Sequence, residues 1–463
     1  MMKKFLLSVS LLMLLSGQVW ATDYYFANGG NDDDDTCTEG APCATITKCN
    51  AIMAGLDNGA HNFYFNRGDT WTLNSGAETD HVLAVTVSGS DDSNRVVIGA
   101  YGTGALPIFD GVNQADTSPD YKGIIAIDDE DYVTIEYLEI KNAIKNLIGI
   151  NQAGNTAYTP SYITIQHCTI HSNRMDGYMG IYVMNRGSQG NTDHIVIDSN
   201  TIYDITHNGV RTEGGVTNET ISNNTFTAIE HHCVDSWYYT GKAKNDTLTV
   251  YGNSCSASTA GFFIAGTENS EYYNNTIYDL TNLEGDYVFA FEVGRGDGAG
   301  GECSNVIIYA NRIWDLDVEH ANTTVFKYYQ TTNLKVYNNT IYSNYRTFID
   351  GGNNTNPDAQ NNLCYANTNT AAPYTNYGSD PKFTDPGNDD FTLQSSSPAR
   401  QAGSDLGANK LYCVHPVTGV MVDPDLYDGG LWPDGAYVWP AVTAALTIQG
   451  GSLKIVPGSM VLQ

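Results

Sequence analysis

Ile195-Val196-Ile197-Asp198-Ser199-Asn200-Thr201-Ile202 sets two short apolar alternations on either side of a polar bend, and the phrase returns along the chain. Tyr132-Val133-Thr134-Ile135 with Leu138-Glu139-Ile140, and Tyr162-Ile163-Thr164-Ile165 with Cys168-Thr169-Ile170, precede it. Its second half recurs as Asn224-Thr225-Phe226, Asn253-Ser254-Cys255, Asn275-Thr276-Ile277, Asn311-Arg312-Ile313, Asn339-Thr340-Ile341 and Asn362-Leu363-Cys364. From Leu138 the successive spacings are 30, 32, 24, 29, 22, 36, 28 and 23 residues. Period-2 alternation bounded by Asn, Gly and Ser marks short strands joined by turns. A repeat of about 20–50 residues built of such strands is a solenoid.

Stacking explains the asparagines. Equivalent residues of successive coils sit about 4.8 Å apart, so side-chain amides at one bend can hydrogen-bond up and down the stack. Asn-x-Thr triplets also fit glycosylation sequons, but their recurrence in register with the strands favours a ladder. Variable spacing means a constant core with loops of different length at fixed corners, where solenoids place specificity.

Composition agrees. The 463 residues include 46 Gly and 31 Tyr with only 16% charged, which suits turn-rich β structure and excludes an all-α chain. Against 52 Asp and Glu stand 22 Lys and Arg, a formal charge of −30, which opposes nucleic acid and anionic membranes as partners and is compatible with cations. Lys3 and Lys4, the apolar run Phe5 to Leu15 and the small-residue end at Ala21 form a secretory signal peptide over residues 1–21. The run is shorter than the ~20 residues a bilayer span needs. The expectation is a secreted or periplasmic monomer with cleavage near Ala21 and, without the two leader lysines, a charge of −32. Nine cysteines follow the leader. Export permits disulfides, Cys37 with Cys43 or Cys49 being the natural short loop, and an odd count leaves at least one unpaired.

Four further stretches resemble right-handed parallel β-helix proteins of the pectate-lyase-like superfamily. Tyr24-Tyr25-Phe26-Ala27-Asn28-Gly29-Gly30-Asn31-Asp32, with Ala41-Pro42-Cys43-Ala44-Thr45-Ile46, resembles their opening strand and capping helix. Phe63-Tyr64-Phe65-Asn66-Arg67-Gly68-Asp69-Thr70-Trp71 resembles the first coil, and the segment from Ile98 to Gly111 the second. Asp380-Pro381-Lys382-Phe383, Phe391-Thr392-Leu393 and Ser397-Pro398-Ala399 resemble the tail that closes the helix. The resemblance implies an all-β fold, a right-handed parallel β-helix over residues 22–406 with a short N-terminal capping helix. Residues 407–463 then hold an irregular last coil and two capping strands, Leu446-Thr447-Ile448 and Leu453-Lys454-Ile455. It implies a carbohydrate-active protein, because the superfamily includes polysaccharide lyases, glycoside hydrolases and non-catalytic surface proteins.

Chemistry is sought where strands point side chains outward. Aligning one strand per coil on Ile150, Ile181, Val210, Val234, Phe262 or Phe263, Phe289, Phe326 and Ile349 as inward residues gives an outward column of Asn151, Tyr182, Arg211, Asp235, Ala290, Lys327 and Asp350. Two residues on stand Glu213, Trp237, Glu292 and Tyr329. His207 and His231 precede their strands at equivalent positions, and Lys242 follows in a loop. A lyase on a uronate needs a base for the proton beside the carboxylate and cationic charge for the enolate. Arg211, Lys242 or Lys327 supply charge in this reading; a histidine such as His207 or His231, a tyrosine or a neutral lysine supplies the base. Trp237, Tyr182, Tyr329 and Glu292 bind the polysaccharide. Calcium held by Glu213, Asp235 or Asp176 is the alternative source of charge. Hydrolysis instead requires two carboxyl groups about 5–5.5 Å or ~6.5–9.5 Å apart, for which Glu213 and Asp235 are the pair. A solvated face with a structural Arg-Asp pair is the non-catalytic alternative, giving a surface β-helix that binds glycan or calcium. Asn191-Thr192-Asp193 matches one motif of the polygalacturonases, but the Asp-Asp, Gly-His-Gly and Arg-x-Lys that should follow it are missing, as are the Trp-x-Asp-His and Arg-x-Pro-x-x-Arg of classical pectate lyases. Arg295-Gly296-Asp297 reads as part of a long loop, Gly294 to Gly301, near the groove.

Overall fold

The computed structural model describes residues 21–404 apart from 34, 74–81, 115–122, 151–158, 186–191, 239–240, 284–287, 296–300, 317–322, 343–347 and 366–378, and beyond them residues 406, 413–414, 421–422, 433, 435, 445–449 and 452–456. The expected signal peptide, most of residues 407–463 and Asn151 therefore lie outside the described residues.

The coils feed three parallel sheets, and in several of them the strand of the first sheet is split in two, as Val216–Thr217 and Thr220–Ser222. The first sheet starts with Thr22–Phe26, His61–Asn66 and Val96–Tyr101, continues through Ser161–Gln166 and Thr192–Asp198, and ends at Asp358–Gln360. The second runs from Thr70–Thr72 to Leu363–Tyr365, and the third from Leu83–Val85 to Phe348–Asp350. Register is kept for coil after coil. Ile135, Ile165, Ile197, Ile221, Val250, Tyr272, Ile308 and Val336 face one another in sequence along the first sheet, and all lie in one core. Such a parallel stack buries each apolar residue under its own equivalents, which is why the repeat survives with little sequence identity between coils.

Between the first and second sheets the chain turns through the repeated asparagine. Nδ2 of Asn200, Asn224, Asn253, Asn275, Asn311 and Asn339 donates to Oδ1 of the next rung at 2.9–3.0 Å, ending on Asn362. The same Oδ1 accepts the backbone N–H of the preceding rung, as in Asn253 N to Asn275 Oδ1 at 3.0 Å. The second Nδ2 hydrogen goes to a strand carbonyl, as in Asn275 to Val250 at 3.0 Å. Each buried amide thus uses both donors and both lone pairs. Cys168 occupies the place before the first rung, and its N–H is taken by Asn200 at 2.9 Å. Neighbouring corners carry left-handed residues, many of them asparagine (Asn218, Asn223, Asn269, Asn305, Asn333), the non-glycine type that tolerates φ near +55° best.

The N-terminal end is closed by the helix Ile46–Met53, capped by Thr45 Oγ1 accepting from Lys48 N at 3.1 Å. Ile46, Cys49 and Met53 face the first coil, and Asn50 bonds both Val82 O and Ala84 N at the open edge of the third sheet. Cys37 is bonded to Cys43 and Cys233 to Cys255; the first was one of two foreseen pairings, the second was not foreseen. Cys49, Cys168, Cys303, Cys364 and Cys413 are buried thiols. Among the described residues no helix is long and apolar enough to cross a membrane.

One tail expectation is corrected. Phe383–Asp385 and Asp390–Leu393 form an antiparallel hairpin, but it packs beside the coils rather than across the end of the helix. Phe391 lies 4.9 Å from Trp314 and 5.1 Å from Tyr342, outward aromatics of the second sheet, because those rings leave an apolar strip that needs a cover. Ala445–Gln449 and Ser452–Val456 are strands, as expected, and pair only with each other in a separate hairpin.

Two outcomes follow. Asn275→Ala, which strands buried donors and acceptors on both neighbours, should cost about 2–4 kcal/mol. Asn305→Gly, at an exposed left-handed corner that glycine tolerates, should cost less than about 1 kcal/mol. Equal shifts in thermal midpoint would show that the inner ladder holds nothing the outer one does not. Glu219 is fully buried, with Oε1 accepting from Thr212 at 3.0 Å and Oε2 without a partner, and burial pushes its pKa up to about 7. Its neutral form is favoured in the fold, so its contribution is complete below pH 4.5 and is lost as pH rises through 7. Glu219→Gln should remove about 3 kcal/mol of that pH dependence. Parallel stability–pH curves for the two proteins from pH 4.5 to 8 would refute the assignment.

Candidate active site on the third sheet

The third sheet departs from simple alternation, and the site depends on that. Cys233 and Val234 both face the core, as do Ala290 with Phe291 and Val325 with Phe326, so each strand enters with two successive inward residues. At the equivalent place Gly261 lies so close to the next coil that an added Cβ would meet Ala290 O at 2.3 Å. The register is therefore Ile148, Ile181, Val210, Val234, Phe262, Phe291, Phe326 and Phe348, which corrects the alignment: Ile150 is a core residue but lies beside Val183 rather than Ile181, Phe289 belongs to a separate cluster, and Ile349 stands beside Lys327. The outward row is Gly149, Tyr182, Arg211, Asp235, Phe263, Glu292 and Lys327. Glu292 belongs directly beside Lys327, not two residues away, and Ala290 faces inward.

Arg211 is the centre of the first half. Its Nη2 lies 3.0 Å from Glu213 Oε2 and its Nη1 3.5 Å from Asp235 Oδ2, and Tyr182 Oη donates to Glu213 Oε2 at 2.8 Å. Burial opposes the guanidinium charge, but Asp235 and Glu213 outweigh it and raise the Arg211 pKa. Asp235 is 1% exposed; burial raises its pKa against the pull of Arg211. Asn208 Nδ2 donates to its Oδ2 at 2.8 Å, while its Oδ1 has no partner. Trp237 lies over this group, with Arg211 Cζ 4.5 Å and Arg295 Cζ 4.2 Å from the ring centre and Phe263 stacked at 5.6 Å.

Three histidines adjoin it. His207 and His231 rings are 4.5 Å apart, His231 and His232 3.7 Å, and His232 stacks on Phe263 at 5.1 Å. Burial lowers the pKa of all three, His231 to about 2, so each is a neutral imidazole at pH 7. His207 is half-buried, with Nδ1 unpartnered. In the second half Lys327 Nζ donates to Glu292 Oε2 at 3.1 Å and lies 5.2 Å from the centre of the Tyr329 ring. Burial would lower the Lys327 pKa, but Glu292 outweighs it and holds the ammonium charged.

Two other expected residues lie on loops beside these strands, and the charge of Asp176 acts on His207. Lys242 is half-buried in the loop after His232–Trp237, and Lys244 in the same loop pairs with Glu268 at 3.0 Å. Asp176 is exposed in the loop before Ile181–Met184. Among the described residues no three His, Cys, Asp or Glu side chains form a set that could hold a metal ion. Of the carboxylates expected to hold calcium, Glu213 and Asp235 share the Arg211 guanidinium, and Asp176 acts by its charge on His207. Sequence reasoning missed Arg295, read as a loop residue, and Asn208, whose only signal was its place between His207 and the strand.

A family model described as a right-handed beta helix region matches residues 117–277. No curated protein matches significantly. Among solved structures, pectate lyase Pel9A superposes with a TM-score of 0.50 at 16% identity over 90% of this chain and 96% of that one. The GH136 lacto-N-biosidase from Eubacterium ramulus gives 0.46 at 13% identity, over 75% and 67%. The alginate lyase from Paenibacillus sp. str. FPU-7 gives 0.44 at 15% identity, over 72% and 98%. The fold is a right-handed parallel β-helix of the pectate-lyase-like type.

Removing the central cation should expose its purpose. Arg211→Met leaves Asp235 buried beside Glu213 without a counter-charge and should cost about 3–5 kcal/mol. Adding Asp235→Asn should restore at least half of that loss in denaturant unfolding. A double variant no more stable than the single one means that Asp235 is not the group Arg211 neutralises.

Proposed function

We propose that the protein is a carbohydrate-active enzyme that binds a uronate-containing polysaccharide along the outer face of the third sheet and cleaves it by β-elimination. One observation carries this reading. In a chain with 22 basic residues against 52 acidic ones, Arg211, Arg295 and Lys327 gather around Trp237 and Tyr329 on one face. A substrate carboxylate approaching Arg295 beside Trp237 meets the charge that an enolate-like transition state requires, and Lys327, four strands along the sheet from Arg211, holds another uronate of the same polymer. His207, neutral and half-buried, accepts the proton from the carbon next to that carboxylate, and the glycosidic oxygen leaves with the bonding pair as the double bond forms. Arg211, tied to two carboxylates, orients the face. A pectate lyase and an alginate lyase among the similar solved structures support the substrate class. The signal-like leader supports export, and the enzyme is read as a monomer.

Hydrolysis is the second reading, favoured by one observation: burial raises the pKa of Asp235, as a general acid requires, while Glu213 shares the same arginine.

The protein should be incubated with pectate, alginate, chondroitin and neutral glycans, with and without calcium, and followed at the unsaturated-uronate absorbance. A rise with one uronate polymer is expected, and His207→Ala should lower kcat about 10²- to 10⁴-fold with the fold retained. New reducing ends without that absorbance select hydrolysis. No product from any glycan sinks both readings and leaves a glycan-binding surface protein.

A further inference from the structure

The first sheet carries a second, outer row of asparagines that the chemistry above does not use. Asn305 Nδ2 donates to Asn269 Oδ1 at 2.8 Å, Asn333 Nδ2 to Asn305 Oδ1 at 3.0 Å, and Asn356 contacts Asn333 Oδ1 at 3.4 Å. The inner ladder saturates its amides inside the protein, whereas these rungs lie at the surface. Asn305 and Asn333 each spend one N–H and one lone pair on the ladder, leaving one of each for a visitor. The bonds along the row fix every amide in the same sense, so these free positions repeat at the strand spacing of about 4.8 Å.

The last three rungs border a cavity of about 520 Å³, within the size range of small-ligand sites. Its wall includes Ile307, and Lys335 and Asp358 stand opposite each other in register. Asp358 also accepts from Tyr337 Oη. One cation faces one carboxylate, so the hollow presents no net charge, in contrast to the surrounding −30 chain.

We infer that this hollow is a second carbohydrate-binding site, taking a neutral, hydroxyl-rich stretch of a glycan. A hydroxyl both donates and accepts, which is what each rung still offers. Two adjacent hydroxyls of one sugar ring can engage the free N–H and the free lone pair of a single amide, which an isolated anion or cation would not, and Ile307 meets the C–H face of the ring. The site is on a different sheet from Arg211 and Lys327, although Lys327 and Lys335 belong to one coil. It stands whether or not the catalytic reading does.

Binding should be measured by calorimetry on the full chain with cellohexaose, xylohexaose and mannohexaose. At least one should bind, with Asn333→Ala weakening it tenfold or more. Pro357→Trp, which fills the hollow from an exposed position without positive φ while leaving the Asn305–Asn333 bond in place, should abolish it without changing the thermal midpoint or binding to uronate polymers. Asn333→Ala carries a folding risk through the ladder, and Pro357→Trp is the control for it. No heat with any of the three sugars overturns the inference, as does binding that survives Pro357→Trp.

Discussion

Everything in this molecule depends on a saturated amide at one bend. An asparagine between the first and second sheets finds partners for all four of its hydrogen-bonding positions only if the next coil lies directly beneath it, in register. A slip of one residue would orphan buried donors and acceptors along the whole stack, each costing about 1–3 kcal/mol. The apolar columns inside and the functional rows outside inherit their alignment from this constraint. Loops can therefore vary freely between coils, since their ends return to fixed places.

The third sheet uses that alignment differently. Two successive inward residues at the start of each strand, and a disulfide from Cys233 across the interior to Cys255, hold His232–Trp237 close against the core. Charged groups can then be buried on its outer side, because their backbone cannot retreat. Arg211 between two carboxylates, and Lys327 against Glu292, are compact pairs whose solvation has been replaced by fixed partners. Such pairs contribute little net stability, but they set orientation and protonation state.

Much of this was legible in the residues. The Asn-x-Thr phrase carries the coil, because strand alternation and bend chemistry are both local. Tyr182, Arg211, Asp235, Glu213 and Trp237 fell in the right columns because their strands keep a two-residue period from Val210 and Val234 onward. Glu292 was misplaced because Ala290 and Phe291 both face inward, a break in period that composition does not announce. Arg295 reaches Trp237 from a loop, and loops carry no periodicity to read. The Cys233–Cys255 bond joins two sheets across the core, a contact that no spacing along the chain encodes.

The inner ladder also has a sense of direction. Every amide donates toward higher residue numbers, from Asn200 to Asn362, with Cys168 standing before the first rung. A one-way chain of equal links behaves as a one-dimensional cooperative lattice, in which each unit is stabilised only by its neighbours. Disorder in such a lattice spreads inward from an end or stops at a boundary between coils. The coils bearing Asp235 and Glu292 carry the inner rungs Asn253 and Asn311, whereas the coil of Lys327 carries Asn339, next to the last, so fraying from the C-terminal end reaches the Lys327 pair before the Arg211 group.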